Sequence, residues 1–279
     1  MLKFHIMIRL GFSPCPNDTF IFHAIANKKI ALDGLPFSLT IKDVETLNRL
    51  AMKRALDVVK VSCHAFHYLK DDYHFLDAGA ALGRGCGPLI VCRDHLDAKD
   101  LLRGKIAIPG KLTTAFLLLR LFLASYGMAP SSEHFVEMPF HEIMEAVESG
   151  RAHAGLIIHE GRFTYPEYGL VRIADLGSWW EGETGMPIPL GGIIARKSLG
   201  NAVIKNLEEL IRSGIEYSTA HEDESMLYIR GHAQELSDTV IREHIALYVN
   251  DYTSNIGMDG RAALDELLKR AKDTPPLAL

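Results

Sequence analysis

Ala154-Gly155-Leu156-Ile157-Ile158 runs without a polar interruption and stops abruptly at His159-Glu160. A short apolar run without alternation predicts a strand buried on both faces, and such strands belong to sheets covered by helices on each side. In open α/β sheets, ligands bind in the crevice beyond the carboxyl ends of the strands, so an ionisable side chain at that end meets the ligand. His159 is therefore the first candidate for chemistry. The competing reading is a histidine satisfied by nearby backbone groups.

Strand and helix signals alternate on either side of this run. Residues 6–12 read as a strand, followed by Ser13-Pro14-Cys15-Pro16-Asn17-Asp18-Thr19 and a helix over 20–28. The two prolines hold the chain extended and exclude helix until Asn17 or Asp18 can cap it. A strand over 38–41, an amphipathic helix over 44–54 and a strand over 58–63 complete a βαβ rhythm. A second set follows: strand 105–108, helix 114–126, strand 135–138, helix 141–148 and strand 155–159. After a polar stretch over 179–184 and a strand over 191–196, the rest reads as helices over 203–220, 222–230, 237–250 and 260–272. Long helices placed after alternating units predict that the carboxyl-terminal part packs back on the first half. The expected architecture is α/β in two lobes. Residues 1–95 and 195–279 form a discontinuous first lobe and 96–194 the second, with two chain crossings acting as a hinge.

Composition narrows the partner. The 35 acidic and 30 basic residues give a formal charge of -5 without long runs of either sign, which leaves no electrostatic footprint for nucleic acid or an anionic membrane. A small molecule is the expected ligand. The apolar piece Ile6-Met7-Ile8 is too short for a secretory segment, and the apolar stretch over 115–124 is broken by Arg120. It also falls short of the roughly 20 residues a bilayer span needs, so the chain reads as cytoplasmic. Cys15, Cys63, Cys86 and Cys92 lack CxxC spacing and read as free thiols. His64 and His67 have i,i+3 spacing without a third ligand and read as surface histidines, so no metal site is expected.

Three further segments carry candidate chemistry. Lys105 to Ala115 reads as strand, turn and helix start with Thr113 and Thr114 at the cap; the first-turn amides of Thr114 and Ala115 could hold a carboxylate. Simple capping is the alternative. In Val58-Val59-Lys60-Val61-Ser62-Cys63, the period of two puts Lys60 and Ser62 on one face, opposite Val59 and Val61. That face suits an anionic or polyhydroxyl ligand or, alternatively, a solvated edge. The glycines over 79–87 lack the GxGxxG order, which argues against dinucleotide binding and for unusual backbone angles or close approach to a ligand. Glu160 follows His159 but faces the opposite side of a strand, so it is not automatically its partner.

Gly11-Phe12-Ser13-Pro14-Cys15-Pro16-Asn17-Asp18-Thr19-Phe20, Asp43-Val44-Glu45-Thr46-Leu47-Asn48, Gly83-Arg84-Gly85 and Leu156-Ile157-Ile158-His159-Glu160 together resemble the 1,4-dihydroxy-6-naphthoate synthases. These are menaquinone-pathway enzymes of the futalosine route, and the resemblance runs from about Arg9 to the segment His232-Ala233-Gln234-Glu235-Leu236-Ser237-Asp238. It implies a periplasmic-binding-protein-like fold of type II, with a ligand cleft between two α/β lobes. It further implies a lyase that acts on cyclic dehypoxanthine futalosine without metal or redox cofactor. His159 would be the base that starts fragmentation of the substrate. Lys60, Val61 and Ser62 would line the substrate site, and Thr114 and Ala115 would contact it from the second lobe. Ser13, Asn17 and Thr113, beside these segments, complete the expected substrate site. The alternatives are a non-catalytic solute-binding protein on the same fold and the related chorismate dehydratase, which would not be expected to carry the Ile158-His159-Glu160 strand end.

Overall fold

The computed structural model describes residues 7–32, 34–233 and 236–274. Ile6, at the start of the first expected strand, and Gln234 and Glu235 lie outside the described residues.

The first lobe begins with β1 (Ile8–Phe12), α1 (Pro16–Ala26), β2 (Phe37–Ile41), α2 (Val44–Met52) and β3 (Val58–Ser62), two βαβ units in which β1 pairs in parallel with both β2 and β3. α1 starts earlier than the expected cap at Asn17 or Asp18. Pro16 occupies its first helical position, where the missing N–H is needed by no acceptor and the fixed φ suits the helix. α2 starts where Asp43 accepts the Thr46 amide at 3.0 Å, and it buries Leu47 and Ala51. α3 (Cys63–Leu69), β4 (Tyr73–Phe75) and β5 (Ala81–Gly83) follow.

The second lobe contains β6 (Leu89–Cys92), β7 (Ile106–Ile108), α4 (Thr114–Ser125), β8 (Phe135–Glu137), α5 (Ile143–Glu148), β9 (Ala154–Ile157), α6 (Gly161–Thr164), β10 (Val171–Asp175) and α7 (Leu176–Thr184). Its sheet runs β10-β6-β9-β7-β8; β7 is parallel to β8 and β9, whereas β6 is antiparallel to β9 and β10. The chain then returns through β11 (Ile188–Arg196), which joins the first sheet antiparallel to β3, β4 and β5. Five further helices end the described chain: α8 (Asn201–Ala220), α9 (Glu222–Arg230), α10 (Asp238–Tyr248), α11 (Asp251–Ser254) and α12 (Gly257–Asp273). They pack back on the first lobe. Gly214 of α8 lets the helix approach α1 closely, since a Cβ there would stand 2.9 Å from the Ile21 carbonyl, and Ser218 Oγ donates to Phe20 O at 2.8 Å.

Both lobe boundaries lie earlier than 95 and 194. β6 belongs to the second sheet and β11 to the first, so the crossings precede Leu89 and Ile188. Nothing in an apolar run such as Leu89–Cys92 says which sheet it joins, and Pro189, at the register shift between β11 and β5, disguises the start of β11. The polar stretch 179–184 is the end of α7, which Asp175 caps by accepting the amides of Gly177 and Ser178 and which buries Trp180. One apolar cluster lies between the first sheet, α1 and α8, and a second runs from the other face of that sheet into the second lobe. No helix among the described residues is long and apolar enough to cross a membrane.

Candidate active site

The two lobes face each other across a cavity lined by residues of both. Helix starts reach it from both sides. On the first lobe, Ser13 and Asn17 at the start of α1 line the cavity and are locked by Asp18. Its carboxylate accepts Ser13 Oγ at 2.7 Å, Ser13 N at 3.1 Å and Asn17 Nδ2 at 3.1 Å. Lys60 completes this arrangement with an ion pair to Asp18 at 3.1 Å and a hydrogen bond to Gly79 O at 2.9 Å. The side chains of Lys60 and Asp18 are 6% and 2% exposed, so the pair is buried rather than a solvated edge. β3 lies between β1 and β11, and the lysine projects from it toward the cavity between the lobes.

Val61 and Ser62 continue the wall along β3. Asn48 of α2 fixes Ser62 twice, accepting its amide at 2.9 Å and donating to its hydroxyl at 3.2 Å. Gly191 of β11 keeps this wall open: a Cβ there would lie 2.8 Å from the Val61 carbonyl.

From the second lobe, Thr113, Thr114 and Ala115 reach the same cavity. Thr113 is the cap, accepting the Phe116 amide at 3.2 Å. Thr114 instead ties the lobes together. Its hydroxyl donates to Leu190 O at 2.6 Å and accepts the His64 amide at 3.2 Å, both on the first lobe. That hydroxyl is therefore engaged with protein, and the offer to a ligand is the pair of first-turn amides, which have no intrahelical acceptor. His64 is buried rather than a surface residue; its ring lies 3.3 Å from Thr113 O, and burial pushes its pKa down to about 4. His67 is partly buried on the same helix, and neither histidine lines the cavity.

His159 stands two residues beyond the end of β9, in the cavity wall, with φ +54°. Left-handed backbone at a non-glycine residue is uncommon and costly, and such strain concentrates at functional sites. Phe140 meets its ring edge-on at 5.3 Å. Burial lowers its pKa, with Glu160 and Asp18 opposing and Lys60 reinforcing the shift, which favours the neutral imidazole. Among the described residues no group hydrogen-bonds either ring nitrogen. Glu160 is not an orienting partner, and Arg162 turns away to Gly85 O, Gly87 O and Asp175.

Several wall residues are absent from the sequence-based set. His244 and Tyr248 of α10 line the cavity, and the visible sign was a histidine at the apolar spacing Ile241-His244-Tyr248. Asp18 was legible only as a cap. Gly87, with φ +124°, and Pro88 border the cavity where the chain crosses between lobes, in keeping with the glycine-rich reading. Among the described residues no group of three His, Cys, Asp or Glu is placed to hold a metal ion.

Comparison with known proteins agrees with this arrangement. Residues 8–273 match a family described as menaquinone biosynthesis. The chain is 46% identical over 265 residues to a 1,4-dihydroxy-6-naphthoate synthase of Thermus thermophilus, covering 95% of this chain and 94% of that protein. A protein of the same name from Streptomyces coelicolor is 46% identical over 266 residues, covering 95% and 92%. The chain belongs to the 1,4-dihydroxy-6-naphthoate synthase family of menaquinone biosynthesis. Its members are lyases. A crystal structure of protein AF1704 from Archaeoglobus fulgidus superposes with TM-score 0.87 at 36% identity, covering 96% of this chain and 97% of that one. A Candida albicans protein described as having the generic periplasmic binding protein fold superposes with TM-score 0.68 at 16% identity, covering 98% of each chain. The fold is therefore periplasmic-binding-protein-like, with two mixed α/β sheets.

Proposed function

We propose that this chain converts cyclic dehypoxanthine futalosine to 1,4-dihydroxy-6-naphthoate, and that His159 removes the proton that starts fragmentation of the substrate. The observation that carries the reading is the position of His159 in the cavity wall just beyond the end of β9, where burial lowers its pKa. A C–H bond of the substrate breaks, its proton passes to the imidazole, and the electron pair left on carbon drives the fragmentation. A positioned base of this kind contributes about 10² to 10⁴ in rate. The substrate carboxylate lies at the start of α4 on the amides of Thr114 and Ala115. Lys60, Val61 and Ser62, with Ser13 and Asn17, form the opposite wall, and Thr113 keeps the α4 start in shape.

The lobes, residues 7–32, 34–88, 188–233 and 236–274 against residues 89–187, close on the substrate as units and exclude water from the reacting carbons. The reading calls for neither metal nor redox cofactor and makes the chain a cytoplasmic enzyme. Mass analysis of products after incubating the purified chain with cyclic dehypoxanthine futalosine, without added metal or nucleotide, tests it. Formation of 1,4-dihydroxy-6-naphthoate is the expected result; unchanged substrate would overturn the reading.

A further inference from the structure

A base must present its lone pair along one direction, yet His159 has no hydrogen bond to a ring nitrogen among the described residues. The ring torsion of histidine is broad, so packing has to set it. Two rings do so. Phe140, from the same lobe, meets the imidazole edge-on at 5.3 Å; His244, from the first lobe, lies almost parallel to it, with 11° between planes and 6.2 Å between centroids. The contact with His244 crosses the cleft, so it exists only with the lobes together.

His244 is itself firmly placed. Its Nε2 lies 3.0 Å from Asn17 Oδ1. Asn17 Nδ2 donates to Asp18, which is paired with Lys60, so the amide oxygen of Asn17 faces α10 and His244 Nε2 is the donor. The opposite nitrogen, Nδ1, is buried without a partner among the described residues, as suits a neutral ring with its proton on Nε2. A neutral ring beside His159 does not repel it when His159 becomes an imidazolium.

We propose that His244 is a positioning residue: the first lobe carries its ring onto the imidazole of His159 as the cleft closes, and that contact aligns the base. The inference rests on the reading of His159 as the base. It separates the flat face of His244 from its polar edge. Steady-state kinetics with cyclic dehypoxanthine futalosine on His244→Ala, His244→Leu and His244→Phe test it, with circular dichroism to establish folding. In Ala and Leu, kcat is expected to fall about tenfold or more while KM stays within about threefold, because alignment is lost and binding is kept. Phenylalanine restores a flat ring without the bond to Asn17, so kcat is expected to return to within about threefold of wild type. Wild-type kcat in Ala and Leu, equal loss in Phe, or a rise in KM alone would each overturn the inference. Should the alanine variant fail to fold, Leu against Phe decides. Retained kcat in His159→Ala would overturn the base and this inference together; an inactive His159→Ala beside an unaffected His244→Ala would overturn this inference alone.

Discussion

At the scale of the residue, the proposed mechanism depends on keeping one imidazole uncharged. Burial lowers the pKa of His159, so the competent form persists below the ordinary histidine value of about 6.5. If His159 is the base as proposed, protonation removes it and activity falls as pH drops through the lowered pKa. The acid limb of kcat/KM against pH is therefore expected below pH ~6.5; a limb above that value would contradict the desolvated setting. The left-handed backbone gives a second expectation. His159→Asn, a residue that tolerates that conformation, should fold with little loss of Tm and yet be inactive.

At the scale of the element, buried polar ties hold the wall of the cavity in place. Lys60 joins β3 to the start of α1 through Asp18, and removing one member of a buried pair leaves the other charge unpaired. Lys60→Met is expected to cost about 3–5 kcal/mol, read from urea unfolding, with Lys60→Met/Asp18→Asn recovering much of it. An equal loss in both would mean that the ion pair is not what the lysine contributes. The Thr114 hydroxyl joins α4 to β11 and α3, so Thr114→Val should lower Tm and raise KM, and Thr114→Ser should restore both. Most of these elements were legible. The uninterrupted run over 154–158 announced β9, and the period of two put Lys60 and Ser62 on one face. What stayed hidden depends on which segments meet in space. The engagement of Thr114 requires knowing that Leu190 lies across the cleft, and His244 joins the site only because α10 folds back from far along the chain. β10, an edge strand, carries only the brief alternation Val171-Arg172-Ile173, too short to set it apart from a loop.

At the scale of the whole molecule, the lobes meet outside the cavity wall as well. Glu45 of α2 approaches the Leu112 amide at 3.5 Å, and Arg49 bridges Glu45 to Glu137 of the second lobe. Burial pushes the Glu45 carboxyl up to about 7, with Glu137 adding to the shift and Asn48, Arg49 and the Leu112 amide opposing it. Because the folded value exceeds the unfolded one, the folded state binds more protons between pH ~4.5 and ~7, and stability falls as pH rises through that window. Glu45→Gln mimics the protonated form. Its Tm relative to wild type is expected to increase from pH ~5 to ~8; a constant difference would contradict the buried setting of Glu45. On the proposed reading, closure matters because it brings the start of α4, the buried lysine and the imidazole of His159 around one ligand. The most direct test of that account is His159→Ala, with turnover of cyclic dehypoxanthine futalosine followed by mass analysis and binding by calorimetry. Loss of about 10² or more in kcat with Kd little changed is the result predicted; a variant that keeps most of its kcat would contradict it.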